Sequence, residues 1–375
     1  MSKIIVKEVL TRRELREFIY LPSKVHLNDP GWLPPIYNDE WLLFNKKKNR
    51  SYQYADAVFF MALKDNKPAG RIMGLVNKRY NEIRNEKNGR FCFMECYNDP
   101  EIAAALLARV EEWVISKGME KIVGPLGFSD KDPQGFQIEG FEYPYLFTAA
   151  TNSPYLPAMM EGLGYSKEVD LVNYNIPMPD PVPALYTKAY EKYTRNGDHK
   201  IIEFSSRKEI KPYIIPILEL MNQTFSEIYG FVPLNDPEKI EFANRYLPIL
   251  DPEFVKVVKA GNEYAGFVIA LPDLTPGIIA ARGKLFPFGL FIILREMKKS
   301  KKMMLMLGGI KKEFRGQGID VLLAINLLNS ARKNNMELID SHLILENNTR
   351  MRGECERLAG KVVKRFRIYG KLLKT

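Results

Sequence analysis

The sequence predicts an α/β (α+β) chain built as two tandem copies of one unit, each a mixed central sheet flanked by helices. Three observations carry this. First, a hairpin grammar occurs twice. Residues 57–76 (AVFFMALKDNKPAGRIMGLV) and 254–271 (FVKVVKAGNEYAGFVIAL) each give an apolar run, a polar turn, Ala-Gly and a second apolar run, the pattern of a β-hairpin. Second, landmarks repeat in order. Ala69-Gly70 returns as Ala265-Gly266, and residues 152–164 return as 348–360, both 196 positions on. Gly118-Met-Glu-Lys-Ile returns as Asn335-Met-Glu-Leu-Ile, 217 positions on. The second copy thus holds about 21 extra residues before that landmark, and the first holds a matching excess after it. Third, residues 176–183 (IPMPDPVP) contain four prolines. Proline fixes φ and removes a ladder donor, so this stretch reads as a linker. The domains are therefore expected at 1–178 and 189–375, with a Pro-rich linker over 179–188.

In chain order, strands are expected at 56–64, 68–76, 90–97, 120–124 and 167–176 in the first copy. The second copy should supply 254–260, 263–271, 303–310, 338–346 and 361–373. These runs are rich in β-branched and aromatic residues and end in turn formers. Helices are expected at 100–117, 184–195, 208–229, 236–247 and 319–334. The first opens on Pro100 between Asp99 and Glu101, residue types that suit a helix start. Strands alternating with helices favour parallel pairing.

Composition removes several classes. The 375 residues are 46% hydrophobic and 27% charged, the balance of a folded chain. Cys92, Cys96 and Cys355 are too few and too scattered for a disulfide scaffold or a zinc site. No metal is expected. No run of 18 uncharged apolar residues occurs, and the opening MSKIIVKEVL lacks a signal-peptide core. A reduced, cytoplasmic setting is expected. Lys and Arg (55) exceed Asp and Glu (45), a net charge of +10. The cations are spread along the chain and no nucleic-acid module accompanies them, so no nucleic-acid partner is expected.

The most informative stretch is residues 303–328, MMLMLGGIKKEFRGQGIDVLLAINLL. An apolar strand meets a short charged loop, then Arg315-Gly316-Gln317-Gly318, then an amphipathic helix from Ile319. Glycines at the mouth of a helix let backbone N–H groups converge on an anion, and the helix N-terminus adds partial positive charge. The Gly-Lys-Ser/Thr of a P-loop and the third glycine of a dinucleotide fingerprint are both absent. This strand–loop–helix resembles motif A of the GCN5-related N-acetyltransferase (GNAT) superfamily, Arg/Gln-x-x-Gly-x-Gly/Ala, with Arg315, Gly316 and Gly318 matching. The family's next landmark, a strand ending near an Asn followed by a helix and a Gly, is matched by residues 343–360 around Asn348.

The resemblance covers about 190–375 directly and 1–178 through the internal repeat. It implies that backbone groups of Gly308, Gly309 and Ile310 pair with the pantetheine arm of acetyl-CoA or another acyl-CoA. It implies that Arg315, Gly316, Gln317, Gly318 and Ile319 hold the pyrophosphate, with Asn348 beside them. The first copy has no Arg-x-x-Gly, and Asp99 and Glu101 at the matching helix start repel phosphate. It resembles a degenerate copy.

Two residues depart from the pattern. Asp320 stands where the family prefers Gly or Ala and is expected to cap the helix. Cys355 stands where many members place a Tyr that reprotonates the leaving thiolate. A thiol can serve as an acid, or can simply pack. Glu346, at the end of the next strand, is the expected base for an ammonium nucleophile. Tyr369 is a further candidate acid. His342, on the same strand as Glu346, is read as structural.

Two insertions are expected to shape specificity. Residues 124–148 carry Asp130, Asp132, Glu139 and Glu142, which suit a cationic amine. Residues 283–302 join an apolar patch to Lys284, Arg295, Lys298, Lys299, Lys301 and Lys302, which suits a long acyl chain or peripheral membrane contact through 285–302. The expected function is acyl-CoA-dependent N-acyl transfer, with acetyl as the first choice, to a small-molecule or lipid amine acceptor. Attack is direct, within a ternary complex. A long-chain acyltransferase acting on a lipid amine, a Fem-like aminoacyltransferase and a non-catalytic GNAT-like binding protein remain as alternatives.

Overall fold

The computed structural model describes residues 3–29, 31–195 and 199–374. The first half supplies β1 (Ile4–Glu8), α1 (Arg12–Tyr20), α2 (Pro22–Val25), α3 (Tyr37–Leu43), β2 (Ala55–Lys64), β3 (Lys67–Asn77), α4 (Lys78–Arg84), β4 (Asn88–Cys96), α5 (Pro100–Ser116), β5 (Lys121–Gly124), β6 (Phe136–Glu139), α6 (Tyr155–Gly162) and β7 (Ser166–Pro177). The second half supplies α7 (Ala184–Arg195), β8 (His199–Ile202), α8 (Arg207–Thr224), α9 (Asp236–Tyr246), β9 (Val255–Ala260), β10 (Glu263–Pro272), α10 (Thr275–Ala280), α11 (Gly289–Met297), β11 (Lys302–Ile310), α12 (Ile319–Lys333), β12 (Leu338–Asp340), β13 (Ile344–Leu345), α13 (Thr349–Arg357) and β14 (Lys361–Leu372).

The repeated landmarks have physical causes. Gly70 and Gly266 occupy matching places on β3 and β10. A Cβ at Gly70 would lie 2.8 Å from Ile102 and Leu106 of α5, and one at Gly266 would lie 2.7 Å from Ile319 of α12. Each glycine lets the crossover helix sit close on its strand. Gly118 (φ 77°) and Asn335 (φ 54°) end α5 and α12 in the left-handed region, the usual helix stop.

All twelve main strands form one sheet in the order β1-β2-β3-β4-β5-β14-β7-β12-β11-β10-β9-β8, with β6 on β14 and β13 on β7. Its centre is an exchange. β14, the last strand of the second half, pairs antiparallel with β5 of the first (Tyr369↔Gly124). β7, the last strand of the first half, pairs antiparallel with β12 of the second (Ile339↔Ile176). β7 and β14 also pair with each other (Phe366↔Leu171). The prolines of 176–183 mark a boundary in the sequence, but the sheet runs straight across it.

Side chains from both halves therefore share one core. Val123, Leu126 and Leu146 of the first half pack with Met304, Phe366 and Ile368 of the second. The strand expected over 338–346 is broken at residues 341–343 into β12 and β13, because Ser341 N–H turns to the Tyr174 carbonyl of β7 (3.0 Å). α8 ends at Thr224, five residues before its expected end.

Candidate functional site

The site grows from the way β11 loses its neighbour. β11 and β12 pair in parallel only over Lys302–Met304 and Leu338–Asp340. Beyond Met304 the far edge of β11 has no strand partner among the described residues, and the chain after Asp340 leans onto β7 instead. The result is a wedge opening towards Ile310. Against β10 the register shifts between Leu305 and Leu307, so Met306 is the extra residue of a bulge. Lys311 N–H bonds the Ala265 carbonyl on β10 (2.9 Å). Alternate residues of an antiparallel strand face the same neighbour. Gly309 therefore turns its backbone groups towards β10, while those of Gly308 and Ile310 point into the wedge. A Cβ on Gly309 would collide with Thr224 Oγ1 (2.4 Å), whereas one on Gly308 would meet nothing closer than 3.6 Å.

At the end of the wedge stands the start of α12. Gly318 is its N-cap at φ 78°, and no side chain among the described residues caps the helix. Its first N–H groups thus remain available to a ligand. Gly316 is also left-handed (φ 79°), and a Cβ there would meet no atom within 4 Å. Arg315 is exposed and folds back so that Nε donates to the Ile310 carbonyl (3.2 Å). Gln317 Nε2 donates to the Glu313 carbonyl (2.9 Å). Uncapped donors, left-handed glycines, and exposed Lys312 and Arg315 suit an anion such as a pyrophosphate. Gly318 has a second duty that sequence reasoning missed. A Cβ there would lie 2.0 Å from the Tyr193 ring of α7, so α7 forms one wall of this mouth.

Behind this mouth the wedge closes on a mostly apolar core. Met304 and Met306 of β11 pack with Leu126, Leu146, Phe147, Tyr229, Leu343 and Leu345. Within this lining sits His342, in the break between β12 and β13. Burial holds its pKa below the ordinary 6.5, so the ring is neutral at physiological pH. Leu343 N–H donates to its Nδ1 (2.7 Å), which leaves the ring proton on Nε2. Beneath it Asp340 is buried against Lys302 (3.0 Å), with Asn173 Nδ2 also donating to it (2.5 Å). Desolvation, opposed by Lys302, raises the Asp340 pKa. His342 is one of three histidines, and its period-two position beside the Glu346 strand was the available signal. The strand break that places it at the wedge was not visible.

The other expected residues are dispersed. Glu346 is half-buried, with oxygens held by Lys167 (2.5 Å) and approached by Arg365 (4.0 Å). Asn348 caps α13, its side chain accepting from Met351 N–H (3.1 Å). Cys355 faces the core from α13, and desolvation pushes its thiol up to about 12, which makes it a poor acid. Tyr369 does not line the second half's cleft. Strand exchange carries it into the first half's core beside Phe136, where its hydroxyl meets Glu161 (3.4 Å) and burial raises its pKa. Asp320 is exposed in the first turn of α12 and does not cap it, because Gly318 holds that position.

The acids of 124–148 are mostly committed. Asp130 pairs with Lys131 (3.1 Å), Asp132 accepts from Phe128 N–H (2.7 Å), and Glu139 pairs with Arg365 (3.3 Å). Glu142 is exposed. The loop is clamped by Lys364 of β14, whose Nζ donates to the carbonyls of Gly140 and Tyr143, both at 2.9 Å. Desolvation brings that ammonium down to about 8.

No family model matches the chain. The chain is 26% identical to Protein YghO of Escherichia coli over 376 residues, spanning 98% of this chain and 95% of that protein. It is 25% identical to the bacterial ceramide synthase of Caulobacter vibrioides over 374 residues, spanning 97% and 96%. Among solved structures, a tandem GNAT protein from the clavulanic acid biosynthesis pathway superposes with a TM-score of 0.55 at 11% identity, covering 100% of this chain and 99% of that one. A GCN5-related N-acetyltransferase from Sphaerobacter thermophilus gives 0.53 at 11% identity, covering 99% and 96%. The fold is that of a tandem GNAT protein.

Proposed function

On the premise of a tandem GNAT fold, we propose that this protein transfers a long acyl group from acyl-CoA to the amine of a lipid. The observation that carries the reading is the wedge beside β11. Its mouth is an uncapped helix start suited to a pyrophosphate, and the side chains packed behind it are mostly apolar, with His342 and the Asp340–Lys302 pair among them. An acetyl group needs little such surface. Each further methylene buried contributes about 0.8 kcal/mol, so this lining favours a long chain over acetyl. The resemblance to a ceramide synthase supports the same choice, since a ceramide is an amide of a long-chain amino alcohol.

In this reading the backbone of Gly308 and Ile310 pairs with the pantetheine arm as an added strand would. Residues 315–319 receive the pyrophosphate. His342 keeps its proton on Nε2 and offers a hydrogen-bond donor to the thioester oxygen as negative charge develops there. It serves as a donor and not as a base. The acceptor then arrives as free amine or loses its proton to water. The amine attacks the carbonyl carbon directly, the C–S bond breaks, and CoA leaves as the thiol after taking up a proton.

The test incubates the purified protein with a long-chain amino alcohol and either palmitoyl-CoA or acetyl-CoA. Thiol release and amide mass are followed together. Amide formation with palmitoyl-CoA at least about tenfold faster than with acetyl-CoA is expected. Faster acetyl transfer, or no amide with either donor, overturns the reading.

A further inference from the structure

The insertion between β10 and β11 folds into the α10–α11 hairpin, and its outer side is unusual. Phe286 is 73% exposed, Phe288 72%, Phe291 69% and Leu290 44%. Single exposed apolar residues are ordinary, but four within six positions form a patch. The patch is held firmly from behind. Ile293 and Met297 of α11 pack on Leu274 and Ile278. A Cβ on Gly277 would lie 2.7 Å from the Ile293 backbone, so the two helices touch. Tyr37 N–H donates to the Gly283 carbonyl (2.9 Å), tying the hairpin to the N-terminal segment. The aromatic rings are therefore displayed on a rigid mount.

Charge surrounds them. Arg282, Lys284, Arg295 and Lys298 are exposed. None appears in a salt bridge among the described residues, whereas the neighbouring Lys299 and Lys301 pair with Glu296 and Glu337. Phe291 and Arg295 of α11 and its C-cap Lys298 follow one another at helical spacing. Aromatic rings at the leading end with cations one and two turns behind match the layers of a bilayer surface: acyl chains outside the headgroups and anionic phosphates at their level. A second copy of this chain fits poorly. A two-fold contact would bring the same four cations against themselves.

We propose that the α10–α11 hairpin docks the protein on an anionic lipid bilayer, with Phe286, Phe288, Leu290 and Phe291 inserted and Arg282, Lys284, Arg295 and Lys298 on the headgroups. This rests on the exposed side chains alone. It deepens the lipid-amine reading, because the hairpin leads through Ser300 directly into β11, the strand that borders the wedge.

The test is flotation of the full chain with vesicles of phosphatidylcholine, alone or with one-quarter phosphatidylglycerol. No acyl donor or amine is added. Wild type is expected to float with the anionic vesicles at least about tenfold more than with neutral ones, and salt should weaken this. The variant F286S/F288S/F291S is expected to lose about tenfold or more of the vesicle-bound fraction. The variant R295E/K298E should lose its preference for anionic vesicles. CoA affinity within about twofold of wild type in both variants shows that the fold and the wedge are intact, since neither set lies at the α12 mouth. Absence of flotation by wild type overturns the proposal. So does equal flotation of wild type and the aromatic variant, or a dimer by light scattering that the aromatic variant abolishes. Vesicle binding without amide formation removes the reaction reading and leaves the docking surface standing. Amide formation without vesicle binding does the reverse.

Discussion

The two halves build the same strand, loop and helix, and then treat it in opposite ways. β4 pairs with β5 in parallel only over Asn88–Arg90, as β11 pairs with β12 only over Lys302–Met304. In the first half the chain after β5 folds back into the opening, where Leu126 N–H donates to the Phe91 carbonyl of β4 (3.0 Å). In the second half the matching segment leans away onto β7. The helix starts differ in the same sense. Asp99 caps α5, accepting from Glu101 N–H (3.0 Å) and pairing with Lys64 (2.5 Å). Gly318 leaves α12 uncapped. One unit satisfies its backbone donors within its own chain, and the other leaves them without a side-chain cap. The two units thus differ in a filled opening and a capped helix, with the sheet and the crossover glycines kept.

The largest way to disturb this pairing of halves is to remove what joins them. Deleting residues 361–375 takes β14 from between β5 and β7. The truncated chain is expected to lose cooperative unfolding altogether by circular dichroism. A truncated chain with a wild-type melt would mean the exchange is dispensable.

Making the second helix start like the first comes next. Gly318→Asp would add a cap and a negative charge at a left-handed position facing Tyr193. CoA affinity is expected to fall at least about thirtyfold by calorimetry. Arg315→Ala, whose side chain reaches only its own loop, should fold normally and lose about tenfold. Unchanged affinity in both would remove the loop from the site.

The reciprocal change is milder. Asp99→Ala removes a cap and should lower stability by roughly 1 kcal/mol in denaturant titration. It should create no CoA binding, because Leu126 still occupies β4. New binding there would show that the cap alone silenced the first copy.

His342 gives a pH test. Its folded pKa lies below 6.5, so the unfolded chain binds the proton first as pH falls. Stability from this residue is complete above about pH 6.5 and is lost as pH drops towards the folded value, with a slope of at most about 1.4 kcal/mol per pH unit. His342→Gln should flatten that slope. Equal slopes for the two proteins would place the imidazole in open solvent. The smallest effect concerns Cys355. With its thiol at about 12, the native protein should resist iodoacetamide at pH 8. Cys355→Ala should keep kcat within about twofold while lowering stability by roughly 1–2 kcal/mol. A tenfold loss of kcat at unchanged stability would restore the thiol to the chemistry.

Much of this was legible in the chain. The twofold Ala-Gly hairpin is visible because a crossover helix needs a bare strand position, and Gly70 and Gly266 supply it. The glycine loop is visible because few other sequences uncap a helix. The exchange was not legible. The alternation in 361–372 says strand, but a period of two carries no information about which neighbour it joins. Tyr369 was misplaced for that reason alone. Asp320 was misread because the residue in the left-handed conformation, not the first acid, sets where a helix begins. The short strands β1, β6 and β8 were not read from the sequence, although β5, no longer than these, was. His342 and Glu346 looked equivalent in sequence. One is kept neutral by its apolar surroundings and the other is held by Lys167, a distinction that belongs to tertiary packing.

The exchanged strand also sets a timetable. Roughly 245 residues separate Gly124 from Tyr369, its partner across the centre of the sheet. A ribosome adding about 5–20 residues per second leaves β5 without that partner for roughly 10–50 s. Over that interval the first half cannot finish its own sheet, and its inner edge stands open to any other strand. The centre of the sheet thus closes only after β14 has emerged, and until then β5 waits with an unpaired edge.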